Sequence, residues 1–234
     1  MFPNFLDFLY ELIKTEDADI SCCQAISYNE GSKTLRYLFN RYYKKIYQDK
    51  DELLKDYFLY QGPDVLLVNK LYRKKIFSSL RFKSGVIYED TEIMPKILTL
   101  AEKVAFSTEI RYVYRIREGS TMTSSFSKKN EAIFEVTDNI EKFLLENNYQ
   151  NVIVPFSFQT LDSFVEIYKK VLFCDIADKR QLLKKIRFRV NKYYERCKDE
   201  DYLHPKRKVT VFLIRCPSVF YKSALLVYKK LSRR

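Results

Sequence analysis

Three short blocks between residues 68 and 123 decide how this chain reads: Val68-Asn69-Lys70-Leu71-Tyr72-Arg73, Gly85-Val86-Ile87-Tyr88-Glu89-Asp90-Thr91, and Tyr114-Arg115-Ile116-Arg117-Glu118-Gly119-Ser120-Thr121. Asp90 stands immediately before Thr91–Glu102, a stretch of helical composition, where an Asp is a favoured N-cap worth ~1 kcal/mol. Arg111–Ile116 is strand-like and runs into a Glu118-Gly119-Ser120 loop. Arg115 and Arg117 alternate with Ile116, so both face one side of the strand end. A carboxylate at a helix entrance can take a proton, and a guanidinium fork can grip a phosphate.

Working outward, Phe5, Phe8, Leu9, Leu12 and Ile13 repeat at helical spacing and predict an amphipathic helix with Pro3 tolerated at its first turn. Ala18–Cys23 reads as a short strand, and Asn29-Glu30-Gly31-Ser32 as a turn. Helices are expected over Thr34–Tyr47, Asp51–Leu59 and Lys70–Leu80, and a strand over Val104–Ser107. Beyond Ser127 the periodicity is helical throughout. Ile133, Val136, Ile140, Phe143 and Leu144 form one stripe, Phe158 to Leu172 a second, and Leu182 to Cys197 a third. The expected architecture is α/β but predominantly helical, with a mixed region over residues 1–126, helices over 127–204 and a basic tail over 205–234.

In that order and at those spacings, the three blocks resemble the second half of a family 2 glycosyltransferase of the GT-A type, a family that builds bacterial surface polysaccharides. The resemblance covers roughly Phe2 to Asn148. The family's opening strand, of the Val-Pro-x-Tyr-Asn kind, and its Asp-x-Asp segment have no counterpart here. Met1–Ala18 is instead similar to the family's helix and strand immediately downstream of the Asp-x-Asp segment. The expectation is therefore an N-terminally truncated relative, holding the acceptor-side half of a Rossmann-like GT-A domain.

That resemblance implies inverting transfer of a sugar from a nucleotide-sugar donor to a polysaccharide or glycolipid acceptor. It makes Asp90 the general base and Glu89 its supporting neighbour, with the helix cap as the competing role for Asp90. Arg115, Arg117 and Ser120 are implied to meet the diphosphate or the acceptor, against the alternative of a solvated basic loop. Asn69 and Lys70 fall in a block that normally carries Trp, where Val68 stands here, and a structural turn is the other reading of Asn69. Full-length relatives use Mg or Mn with the nucleotide-sugar. For this chain alone no cofactor and no metal site is expected, its activity alone is doubtful, and a separate N-terminal half or another transferase is a candidate partner. The alternative to an enzyme is a non-catalytic pseudoenzyme or membrane-surface interaction protein.

Composition narrows the remaining classes. With 47% hydrophobic and 31% charged residues the 234-residue chain is globular, and with only 4 Gly and no GxGxxG or GxxxxGK[ST] string a glycine-rich phosphate loop is excluded. Cys22, Cys23, Cys174, Cys197 and Cys216 show no CxxC spacing, and His204 is the only histidine. Reduced thiols, with no apolar leader after a cationic start, point to a cytoplasmic protein. Cys22 and Cys23 read as core residues and His204 as a surface residue. Arg36, Arg41, Lys44 and Lys45 interleave with Tyr37, Phe39, Tyr42 and Tyr43. That pattern is expected from a helix with one basic and one aromatic face rather than a nucleic-acid surface.

The net charge of +12 is concentrated at one end. Residues 205–234 hold Lys206, Arg207, Lys208, Arg215, Lys222, Lys229, Lys230, Arg233 and Arg234 and no acid, whereas residues 1–204 hold 33 cations against 30 acids. Phe220, Ala224, Val227 and Leu231 form a stripe, with Lys222, Lys229 and Arg233 projecting elsewhere; Val209, Phe212, Leu213 and Cys216 form another. A cationic amphipathic segment fits the anionic inner face of a membrane. An ordinary domain helix and a nucleic-acid contact are the competing readings, and the nearly neutral body disfavours the last.

Overall fold

A computed structural model describes residues 1–39, 41–83, 85–117 and 126–231, with side chains described as far as residue 225. Two compact units divide the chain. The first comprises Met1–Ser124 and Glu131–Val152, the second Ser125–Asn130 and Ile153–Arg234.

The first unit opens with helix α1 (Phe5–Glu16), whose Phe5, Leu9, Leu12 and Ile13 are buried as their spacing requires. Pro3 lies before this helix, not in its first turn, because Asn4 takes the left-handed conformation at the N-cap (φ 61°). Strand β1 (Ile20–Asn29) follows, longer than the expected Ala18–Cys23. Its first five residues are all buried, the pattern of a strand covered on both faces. The Asn29–Ser32 turn leads into β2 (Thr34–Arg36), and the Asn29 side chain closes it by accepting from the Ser32 N–H at 2.9 Å.

Strand β3 (Lys44–Tyr47) and helix α2 (Lys50–Phe58) come next, the latter capped by Asp49. The expected helix over Thr34–Tyr47 is therefore replaced by two strands. Phe39 and Tyr43, read as a helical core face, instead meet Phe106 edge-on at ring separations of 5.5 and 5.9 Å. Their segment is held by long-range bonds: Thr108 Oγ1 accepts from the Tyr43 N–H at 2.8 Å, and the Thr108 N–H donates to the Tyr43 carbonyl at 3.0 Å. Tertiary pairing has overridden local propensity.

The expected helix over Lys70–Leu80 is likewise replaced, by strand β4 (Lys70–Tyr72) and a 3-10 turn over Lys74–Phe77. Helix α3 (Glu89–Leu100) then leads to strand β5 (Val104–Ile116), a single element where two strands were expected. The sheet runs β2-β1-β5-β3, with β4 pairing β1 at its start. Strands β1 and β5 are parallel; the remaining pairings are antiparallel. Cys22 faces Phe106 and Gln24 faces Ile110, so β5 carries a bulge where its apolar pattern breaks. Leu12 and Ile13 of α1, with Ala18 just beyond it, pack on Ala105, and Phe5 and Leu9 pack on Cys23. Helix α4 (Ala132–Glu146), downstream of the sequence cut at residue 126, belongs to this unit, where Asn139 donates to the buried Glu92 of α3 at 3.1 Å.

Gly62 marks one close approach. A β-carbon there would lie 2.9 Å from the Tyr47 hydroxyl and 3.1 Å from the Asp56 β-carbon. The Tyr47 hydroxyl itself donates to Asp56 at 2.9 Å. Gly62→Ala is expected to cost ~1–3 kcal/mol through overpacking, read as a lowered urea midpoint; an unchanged midpoint would mean that the contact relaxes freely.

The second unit contains α5 (Ile153–Phe173), α6 (Lys179–Cys197), α7 (Pro205–Arg215) and α8 (Ser218–Leu231). Tyr193 of α6 stacks on Phe164 and meets Phe156 edge-on, both from α5. Pro205 occupies the first position of α7, and the exposed His204 caps it by accepting from the Lys206 N–H at 3.1 Å. Among the described residues no helix is long and apolar enough to cross a membrane.

Candidate functional site

Helix α3 lies between the parallel strands β1 and β5 in the chain and leads into the start of β5. Tyr88 is the N-cap, in the left-handed conformation with φ 67°, and Glu89 and Asp90 fill the first turn. The sequence placed Asp90 at the cap; the structure places it two positions further in, as the second residue of the helix. Its Oδ1 accepts from the Thr91 N–H at 2.7 Å and from the Thr91 hydroxyl at 3.2 Å. Burial, with the negative charge of exposed Glu89 beside it, pushes the Asp90 carboxyl above the ordinary carboxylate value despite the bonds from Thr91. A raised proton affinity is the direction of change that suits a general base.

The phenol of Tyr57 lies within electrostatic reach of Asp90, Tyr60 and Asp64. Burial first, then those charges, hold it well above its usual value. Neither Tyr57 nor Asp64 stood out in the sequence, and the Gly62-Pro63-Asp64 turn was the one signal available for Asp64. Beside Glu89 opens a cleft of about 80 Å3, lined among others by Arg81, Phe82, Lys83 and Lys96.

Other expected substrate residues have different surroundings. Asn69 is 1% exposed; its amide donates to the Cys23 carbonyl at 2.8 Å and to Asp64 at 3.1 Å. The Lys70 ammonium is fully buried, donating to Asp64 at 2.7 Å, to the Asn69 side-chain oxygen at 2.8 Å and to the Leu66 carbonyl. Both groups pin the 64–69 segment onto β1. Val68, where the family carries Trp, is 51% exposed. Arg115 makes a two-pronged contact with Glu30, at 2.6 and 3.1 Å, tying the carboxyl ends of β1 and β5 together. The charge of Arg117 also acts on Glu30, so the two guanidinium groups share that acid. Ser120 lies outside the described residues.

The thiols of Cys22 and Cys23 are fully buried, and burial pushes both up to about 12. They are core groups, inert as nucleophiles. At the opposite, amino end of β1, a cleft of about 360 Å3 is lined by Asp17, Asp19, Arg73 and Lys75 among others. Its charges pair with one another, Arg73 with Asp17 and Lys75 with Asp19, both at 2.7 Å. Among the described residues no three His, Cys, Asp or Glu side chains converge as a cation site would require.

No protein-family model matches the chain. It is similar to the glycosyltransferase GlyA of Streptococcus pneumoniae serotype 4, with 26% identity over 180 residues, 75% of this chain and 24% of that protein. It is also similar to the glycosyltransferase GlyG of the same organism, with 26% identity over 134 residues, 53% of this chain and 42% of that protein. The chain thus spans about a quarter and about two fifths of the length of these curated relatives. Distant likeness to two glycosyltransferases, on a mixed α/β fold, supports a glycosyltransferase relationship.

Proposed function

We propose that this chain is the acceptor-side part of a family 2, GT-A-type glycosyltransferase that moves a sugar from a nucleotide-sugar to a polysaccharide or glycolipid acceptor with inversion. The observation that carries the reading is Asp90, a half-buried carboxylate with a raised proton affinity at the entrance of α3, in a chain similar to two glycosyltransferases. In the proposed step the acceptor oxygen attacks the anomeric carbon and its proton passes to the Asp90 carboxylate. The bond from that carbon to the donor phosphate oxygen breaks, and the nucleoside diphosphate leaves with the electron pair. Glu89 supports the base through its charge. Arg115 and Arg117, at the carboxyl end of β5, are the proposed contacts for an anionic substrate.

A second reading, a non-catalytic protein that keeps the scaffold, is favoured by one specific observation. Asn69, Lys70 and Arg115 spend their donors on contacts within the chain. One assay separates the two: nucleoside diphosphate release by the protein expressed with everything in frame at its locus, given nucleotide-sugars and a glycan or lipid-linked acceptor. Acceptor-dependent release that depends on Asp90 supports transfer. Absence of release across donors, with the fold intact, would favour the scaffold.

A further inference from the structure

The last two helices leave four large apolar side chains exposed among their described residues. On α7 the covered face is Val211 and Ile214, with Arg207 paired to Asp162 at 2.6 Å. Val209 and Phe212, on the other side, are 58% and 65% exposed. At about 100° per residue, Val209 and Phe212 share one face, with Lys206 on one flank and Lys208 and Arg215 on the other. Helix α8 repeats the arrangement: Tyr221 packs its ring on Tyr168, whereas Val219 and Phe220 are 68% and 57% exposed.

The corner joining the helices is fixed. Arg187 of α6 donates to the carbonyls of Ile214 and Cys216 at 2.8 and 3.1 Å and to the Ser218 hydroxyl at 2.9 Å. The same Arg187 lines a cleft of about 580 Å3 with Arg180 and Lys184, which adds cations beside the corner.

We propose that the outer face of α7 and α8 docks on an anionic phospholipid surface. Val209, Phe212, Val219 and Phe220 enter the boundary between headgroups and acyl chains, and Lys206 and Lys208 meet the phosphates. Charge selects this occupant, because residues 205–234 carry no acid. A second copy of a chain with net charge +12 would repel the first. A nucleic acid would match the charge yet leave the exposed aliphatic groups in water. Lys222, singled out by the sequence, is only half exposed, and the side chain of Lys229 and the whole of Arg233 lie outside the described residues. Docking of this face is independent of the glycosyltransferase reading.

Cosedimentation of the full chain with vesicles of phosphatidylcholine, with and without phosphatidylglycerol, tests it. The chain should bind the phosphatidylglycerol vesicles, and added salt should weaken binding without abolishing it. Phe212→Ser with Phe220→Ser should lower binding about tenfold or more at any salt, with unchanged circular dichroism because both side chains are exposed. Lys206→Gln with Lys208→Gln should lower binding to phosphatidylglycerol vesicles alone. Unaltered vesicle binding in the Phe variant would overturn the proposal. So would a monomer–dimer equilibrium that shifts with that variant, or tight binding to DNA by a chain that ignores vesicles.

Discussion

Asp90→Asn is expected to lower turnover at least ~100-fold, the lower end of what general-base catalysis contributes, while the chain stays folded. Asn keeps an oxygen able to accept from the Thr91 N–H, the 2.7 Å contact that Asp90 makes in the first turn of α3. It cannot accept the acceptor's proton. The accompanying stability change has a definite sign. Burial raises the folded pKa of Asp90 above its unfolded value, so its stabilising contribution is fully present below the unfolded pKa. That contribution is lost as pH rises through the raised folded value. Above the raised folded value the ionised group is therefore a burden on the fold, and the Asn variant should be at least as stable as the parent there. In the parent, kcat/KM should rise with pH through the raised Asp90 value, and the residual activity of the variant should lose that limb. Unchanged turnover in the variant would leave Asp90 as a helix-entrance residue without a part in catalysis.

Asp64→Ala is expected to be the most damaging substitution for stability, at about 3–5 kcal/mol, because it strands a buried cation. The Lys70 ammonium is fully buried and touches the carboxylate of Asp64, itself 22% exposed, at 2.7 Å. The Asn69 amide would lose the same partner. For a chain of this size the loss corresponds to a fall in Tm on the order of 10 °C. Adding Lys70→Met to Asp64→Ala should return much of it, since an apolar side chain needs no counter-charge. Urea denaturation of the single and double variants measures both effects. A single variant that loses under about 1 kcal/mol would show that water reaches Lys70 and that the pair matters little to the fold.

Much of the architecture can be read in the sequence, because helical periodicity is a local property. The stripes of α1, α5 and α6 recur every three or four residues, and each buries the face that its spacing indicates. The entrance of α3 is equally local: Tyr88-Glu89-Asp90-Thr91 precedes a helical run, and α3 begins there. Strands β2, β3 and β4 are different. All three are three or four residues long, too short for an alternating pattern to declare itself; β2 pairs locally with the end of β1, but the partners of β3 and β4 lie far away in the chain. Ser21 pairs with Leu71, and Lys45 with Phe106, across some fifty and sixty residues. A window of local sequence holds none of that information.

The candidate site divides along the same line. The sequence by itself indicated that a helix begins beside Asp90, that Arg115 and Arg117 share a face, that Cys22 and Cys23 are core residues, and that the last segments are two-sided and basic. Only the tertiary structure decided what surrounds them. Arg115 meets Glu30, Asn69 and Lys70 close on Asp64, and Tyr57 comes within reach of Asp90. The tail shows the reason most simply. A stripe in a sequence states that one face of a helix differs from the other, but which face is covered depends on what packs against it. Here Val211, Ile214 and Tyr221 are covered, and Val209, Phe212, Val219 and Phe220 are left facing solvent.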